Sequence, residues 1–362
     1  MFSWDTLPVF VHVSIENSLA FDAAELEVLT KFPIVTIEKW QGCASPDYTY
    51  EETAMLAAAK SVKDAARAHG KHVSVVVWFD SYRVYSNQTL NPDAKDTAGI
   101  GCMNSHAAHF LESSPSHLLK DADGALVLES FAHLHVVDYQ IPAMQQFKRN
   151  MCLNMTRSGV VDGCGIDGSQ QRAGTPAIPN VSAADAARWN EGKVCMMNGT
   201  TNAIGEGLVL GKMEWELGGL GGYANGIIQE GCSNSNATVT NLRAVAQRSR
   251  ALGIPLVFEC HANCGRTAVG GDDCAASMAA FLVGAGPGAF WGFGPWVLKN
   301  QIGSNDLSRR WLPEFERALG APVADAVYDA ATGEWSRSFA SGTSVTFNAH
   351  TNNGTVRWAR GK

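Results

Sequence analysis

Five carboxylates in this chain each close a run of apolar, β-branched residues: Glu38, Asp80, Asp167, Glu230 and Glu259. A carboxylate at the mouth of a buried strand is costly to desolvate unless a partner compensates it, so such positions tend to collect chemistry. The most telling stretch is Val160-Val161-Asp162-Gly163-Cys164-Gly165-Ile166-Asp167-Gly168-Ser169. Residues of a strand alternate faces, which puts Gly163, Gly165 and Asp167 on one side. The two glycines read as open space beneath the acid. The competing reading is an aspartate that caps the following turn, as Asp-Gly often does. Two carboxylates flanking one bond can hydrolyse a glycosidic linkage, one giving a proton and the other serving as nucleophile or base. Aromatic faces suit sugar rings, and Trp40, Trp78, Phe79, Trp291 and Trp296 all fall near predicted strand ends. Lys212, at another strand end, suits a hydroxyl or a sugar carboxylate, or serves to neutralise the acids.

These groups converge only if their strands do. Val9–Ser14, Phe32–Glu38, His72–Phe79, the Asp167 strand, Gly207–Lys212, Gly226–Glu230, Ile254–Glu259 and Gly288–Phe293 read as eight strands. Helical patterns separate them over Ala23–Lys31, Tyr50–Gly70, Pro142–Ser158, Ser182–Ile204, Thr238–Gly253, Ala275–Gly284 and Leu307–Gly320. Gly70 serves as a C-cap and Ser182 as an N-cap. Continuous apolar strands alternating with helices indicate a parallel sheet buried on both faces. Eight such units are the sequence form of a (β/α)8 barrel, whose strand C-termini share one rim. A doubly wound open sheet would need a glycine-rich phosphate turn after the first strand, where this chain has Ile15-Glu16-Asn17-Ser18. Residues 81 to about 140 interrupt the rhythm as a polar insertion after the third strand. It carries His106, His109, His117 and the pair His133/His135, and an Asp-Gly hairpin over Lys120–Leu128. The expected organisation is a catalytic barrel over residues 1–320 and a β appendage over 321–362.

Composition narrows the function classes. The chain is 46% hydrophobic and 17% charged, as in a globular protein, and its net charge of −7 argues against a nucleic-acid surface. No apolar run reaches the ~20 residues that span a bilayer. Six Asn-x-Ser/Thr acceptors, at Asn87, Asn154, Asn180, Asn198, Asn236 and Asn353, and nine cysteines favour a secreted or extracellular protein whose signal peptide is not part of this chain. Cys264 and Cys274, in the loop after the seventh strand, are the expected disulfide.

The tail is different in kind. Val327–Asp329, Glu334–Phe339, Thr343–Asn348 and Thr355–Trp358 alternate polar and apolar residues between Gly333, Gly342 and Gly354, which reads as an antiparallel sheet. With the tail in place a resemblance can be named. Gly165-Ile166-Asp167-Gly168, Gln229-Glu230 and Trp335-Ser336-Arg337-Ser338-Phe339-x-x-Gly342-Thr343-x-Val345-x-x-Asn348 resemble the hypothetical glycosyl-hydrolase-like barrel families, which are related to the α-galactosidase-type clan of retaining glycosidases. The likeness runs from the fourth strand to the tail. It implies a nucleophile after strand four, at Asp167, and an acid/base after strand six, at Glu230, where that clan usually has aspartate. The residues expected to bind substrate are Asp80, Trp78, Glu38, Trp40, Lys212, Glu259, His261 and Trp291.

Two alternatives stand beside this reading. His133-x-His135 resembles the His-x-His of metal-dependent hydrolase barrels, but those carry it on strand one, where this chain has only His12. A barrel that binds carbohydrate without cleaving it is the other. A carbohydrate substrate is expected, with no cofactor, no catalytic metal, no nucleic acid and no membrane as partner.

Overall fold

The structure, a computed structural model, describes residues 2–15, 17–84, 105–212, 225–232, 234–253, 257–262, 273–292 and 311–359. Eight parallel strands close into a barrel: β1 (Val9–Val13), β2 (Ile34–Glu38), β3 (Ser74–Asp80), β4 (Gly163–Asp167), β5 (Leu208–Lys212), β6 (Gly226–Glu230), β7 (Val257–His261) and β8 (Ala289–Gly292), with β8 pairing back onto β1. Helices α1 (Ala23–Leu29), α2 (Glu51–Ala68), α3 (His106–Ser113), α4 (Pro142–Thr156), α5 (Ala183–Ile204), α6 (Asn236–Leu252) and α7 (Asp273–Gly284) lie between them, α3 within the insertion. A separate antiparallel sheet follows, β9 (Val327–Asp329), β10 (Glu334–Ser338), β11 (Ser344–Asn348) and β12 (Asn353–Arg357), in the order β12-β11-β10-β9. Gly354 of β12 lies so close to α7 that an added Cβ would sit 2.5 Å from the Ala279 methyl.

The two-residue period of the strands divides the barrel into an inside and an outside. Phe10, Ile34, Val76, Trp78, Leu210, Ile228, Val257 and Phe290 form one inner cluster, while their neighbours in sequence join the larger cluster under the helices. Toward the strand C-termini the inward positions turn polar: Ile34, Thr36, Glu38 on β2; Val76, Trp78, Asp80 on β3; Leu208, Leu210, Lys212 on β5. The apolar floor therefore carries a charged upper layer, and the barrel delivers those charges to one rim.

Several expectations change here. The seventh strand ends later than expected, because pairing with β6 carries it on to His261; its expected start at Ile254 lies outside the described residues. Glu259 is then not a terminal carboxylate. It is mid-strand and buried, and Thr36 on the far side of the barrel donates to it at 3.1 Å. The closing helix expected over Leu307–Gly320 is, in its described part, a 3₁₀ turn at Pro313–Glu316, since Pro313 disfavours helix before it. Gly70 and Ser182 behave as read: Gly70 has φ 64° just past α2, and Ser182 accepts from the Asp185 amide.

Cysteines bind the barrel wall rather than only its loops. Outward-facing Cys164 on β4 is bridged to Cys152 on α4, and Cys260 on β7 to Cys232 just beyond β6. Cys195 is free and exposed. The expected bridge from Cys274 to Cys264 falls on a residue outside the described ones.

Glu259 has a consequence for stability. Burial pushes its carboxyl up to about 8, with the Thr36 hydroxyl pulling the other way. An unfolded carboxyl ionises from ~4.3, so between that pH and about 8 the folded state holds the extra proton and stability falls as pH rises. Glu259→Gln should remove this slope. Thermal melts should show the variant gaining on wild type as pH goes from 5 to 8, by roughly 3–5 kcal/mol at the upper end; a difference that ignores pH would contradict the assignment.

Candidate active site

Four acids and three cations meet at the C-terminal rim. Asp167, at the end of β4, is buried, yet both its oxygens are occupied: Oδ2 accepts from Lys39 Nζ at 2.8 Å and from Arg83 at 2.9 Å, and Oδ1 from Lys212 Nζ at 3.0 Å. Burial alone would raise its pKa, but Lys39, Lys212 and Arg83 together hold it well below the usual carboxylate range. The resulting stability is present above ~3.9 and is lost as pH falls through the lower folded value.

Each cation is itself placed by an acid. Glu38 sits 2.9 Å from Lys39 Nζ and 2.8 Å from His12 Nε2. Burial raises Glu38, and Lys39 and His12 more than reverse this, so it too is ionised at neutral pH. Asp80 takes Arg83 in a two-pronged contact, 2.7 Å from Nε and 2.6 Å from the terminal nitrogen, while its other oxygen accepts from the amides of Tyr82 and Arg83. That geometry fixes the guanidinium plane against Asp167.

Lys212 joins the two candidate catalytic acids. Its ammonium is 3.0 Å from Asp167 Oδ1 and 2.6 Å from Glu230 Oε2. Burial would lower the lysine, but the two carboxylates raise it. Glu230, at the end of β6, is partly exposed and is raised, first by burial and then by the charge on Asp167, against the pull of Lys212. One acid is thus driven toward ionisation and its neighbour toward holding a proton.

Other sequence-derived candidates fall differently. Trp78 is 1% exposed and points into the barrel beneath Asp167, where it cannot offer a face to a sugar. The glycines explain why. A Cβ on Gly165 would lie 1.8 Å from the Trp78 ring, and one on Gly163 would strike Leu208. They make room for neighbouring strands, not for substrate. Phe79 is likewise buried. Trp291 is fully buried and faces outward, with its Nε1 donating to Ser277 and its ring against Phe315, since its neighbour Phe290 takes the inward position. Trp40 is half-buried among Cys43, Tyr48 and the insertion residues Ala132 and Leu134, with Lys39 Nζ 5.2 Å from its ring centre. Trp296 and the His261 side chain lie outside the described residues. Glu259 lies below the site and touches none of its charges.

Lys39, Arg83 and His12 were not singled out by the sequence reading. A signal exists for the first two: Lys39 directly follows strand-closing Glu38, and Arg83 comes three residues after strand-closing Asp80. The insertion histidines are engaged separately. His106 stacks on Tyr50 with centroids 4.1 Å apart and lies 3.1 Å from Glu52, and His117 packs on Phe110. Among the described residues no three His, Cys, Asp or Glu side chains are gathered so as to hold a metal ion, so the His133/His135 metal site finds no ligand set there.

Curated protein sequences give no match. Among solved structures, the uncharacterized protein lmo2446 from Listeria monocytogenes superposes with a TM-score of 0.52 at 11% identity, over 84% of this chain and 29% of that one. The cycloalternan-forming enzyme from Listeria monocytogenes, solved with a pentasaccharide substrate, gives 0.50 at 12%, over 85% and 30%. The glycoside hydrolase domain of PelA from Pseudomonas aeruginosa gives 0.45 at 14%, over 78% and 94%. At such identities the likeness is one of fold, and this chain spans under a third of either Listeria protein. A sequence-family profile is more specific: the hypothetical glycosyl hydrolase family 15 matches residues 68–343, from the end of α2 through Asp80, Asp167 and Glu230 to the edge of the third strand of the tail. With most of its length under that profile, and Asp167 and Glu230 inside it, this chain belongs to hypothetical glycosyl hydrolase family 15.

Proposed function

We propose that the protein is a glycosidase that retains anomeric configuration, with Asp167 as nucleophile and Glu230 as acid/base. The observation that carries this reading is the single ammonium of Lys212 touching both carboxylates. Their facing oxygens can be no farther apart than those two contacts laid end to end. So close an approach suits the ~5–5.5 Å between carboxyl groups in retaining enzymes better than the ~6.5–9.5 Å that inversion needs for a water. The opposed pKa directions support the same roles. In the first step Glu230 protonates the leaving oxygen while Asp167 bonds to the anomeric carbon; in the second Glu230 takes a proton from the water that releases the sugar. Lys39 and Arg83 stay on Oδ2 and keep the nucleophile ionised and oriented, while Oδ1 is the oxygen that attacks once a sugar displaces Lys212.

A carbohydrate-binding barrel without turnover is the second reading. It is favoured by the three cations that already occupy both oxygens of Asp167. Reducing-end release from a panel of polysaccharides and aryl glycosides decides between them: the catalytic reading requires release by wild type and none by Asp167→Asn. The two disulfides in the barrel wall and the exposed acceptors Asn154, Asn180, Asn236 and Asn353 support an extracellular setting, where bridges persist.

Lys212 carries its own expectation. It pulls the Glu230 pKa down, so Lys212→Met should let it rise, and the alkaline limb of the kcat/KM profile should move to higher pH. A limb that stays or moves down would separate Glu230 from that limb.

A further inference from the structure

Opposite the rim, at the N-terminal face of the barrel, α6, the end of α7 and the tail sheet line a half-open cavity of about 510 Å³. Its walls hold three guanidinium groups, Arg243 and Arg250 from α6 and Arg337 from β10, together with Trp4 and Trp335. Arg337 is the one with a structural duty. It donates to the carbonyls of Leu282 and Ala285 at 3.0 and 2.5 Å, which caps the C-terminal end of α7. Arg243 lies over the Trp335 ring at 5.0 Å, leaving its N–H groups directed elsewhere. Neither Arg243 nor Arg250 forms an ion pair among the described residues, and Asp325, which also lines the cavity, bridges none of the three.

A protein of net charge −7 thus holds, among its described residues, three arginines against a single carboxylate, Asp325, around one concave space. Burial brings Arg337 down to about 10; Asp325 opposes the fall, and Arg243 and Arg250 add to it. An anion in the cavity would relieve that repulsion. Guanidinium forks match planar or tetrahedral oxyanions, and the volume lies in the range of small-ligand sites. Trp4 and Trp335 add apolar edge for a ring bearing the anion.

We infer that this cavity is a second binding site, distinct from the catalytic rim, for an anionic sugar unit bearing a carboxylate or a sulfate ester. The choice of a glycan as the carrier of that anion rests on the glycosidase reading.

Affinity electrophoresis tests it. Native gels containing polygalacturonate, dextran sulfate or neutral dextran are run with wild type and with the double variant Arg243→Gln/Arg250→Gln, which leaves the Arg337 cap intact and whose melting curve checks the fold. Wild type should be retarded by at least one anionic polymer and not by dextran. Preference for polygalacturonate assigns a carboxylate; preference for dextran sulfate assigns a sulfate ester. The double variant should bind at least about tenfold more weakly, as loss of a charge-assisted hydrogen bond requires. Equal retardation of variant and wild type, no retardation by either polyanion, or equal retardation by dextran would overturn the site. Retardation is scored without turnover, so a protein that binds polyanion yet cleaves no glycan fails the glycosidase reading alone.

Discussion

Asp167→Asn should lower kcat/KM on the natural glycan by on the order of 10⁴-fold or more, because an amide cannot form the glycosyl-enzyme ester. Substrate binding should change far less, since the variant keeps the shape of the site. Fold must be checked in parallel. Lys39, Arg83 and Lys212 lose the charge they share, and removing one partner of a buried ion cluster typically costs ~3–5 kcal/mol. A melting curve that stays cooperative at lower temperature, with activity gone, is the expected pair of results. Asp167→Gly supplies an independent arm: azide should restore turnover of an aryl glycoside, giving a glycosyl azide of inverted configuration. Near-normal activity in Asp167→Asn would move the nucleophile to another rim acid, Asp80 being the next to test.

Glu230→Gln should discriminate between leaving groups. A general acid is worth ~10²–10⁴-fold where the departing oxygen needs a proton. In kcat/KM, which reports the first step, the loss should be of that size on a glycan and small on an activated aryl glycoside, whose phenolate leaves unaided. The kcat on the aryl glycoside should still fall, because the same residue is the base of the second step. The pH dependence gives a second handle. The acid must be protonated to work, and burial with Asp167 raises Glu230, so wild-type kcat/KM should fall as pH rises through that raised value. The acidic limb should lie at low pH, where Asp167, held well below the usual range, takes up its proton. In Glu230→Gln the alkaline limb should vanish while the acidic limb stays. Equal losses in kcat/KM on both substrate types would make Glu230 a binding residue instead.

Much of the barrel was legible because buried parallel strands are written as continuous apolar runs broken by helical patterns. The tail sheet was legible for the opposite reason, its strict alternation between glycines. The rim acids followed from strand ends alone. What escaped depended on parity and on turns. Trp78 shares the parity of Asp80 and so points inward; Trp291 follows inward-facing Phe290 and so points out. Both look like rim aromatics only if that alternation is not carried through. Gly163 and Gly165 read as space for a ligand, but the neighbouring strands fill that space with Trp78 and Leu208. Lys39 and Arg83 lie just past their strands, in turns that fold back over the rim. No periodicity forecasts their direction, yet they decide the charge state of Asp167. Glu259 was misplaced because the polar-looking Cys260 and His261 stay in the ladder beside Gln229 and Glu230, which carries the strand two residues past the acid.

The central claim is that Asp167 bonds covalently to the sugar. Once the glycan screen has named the sugar, its 2-deoxy-2-fluoro derivative with a good leaving group should accumulate as a glycosyl-enzyme, and peptide mapping by mass spectrometry should place the added mass on the peptide that holds Asp167. Added mass on the peptide of Glu230 or Asp80, or fast turnover to an inverted product with no adduct, would contradict it.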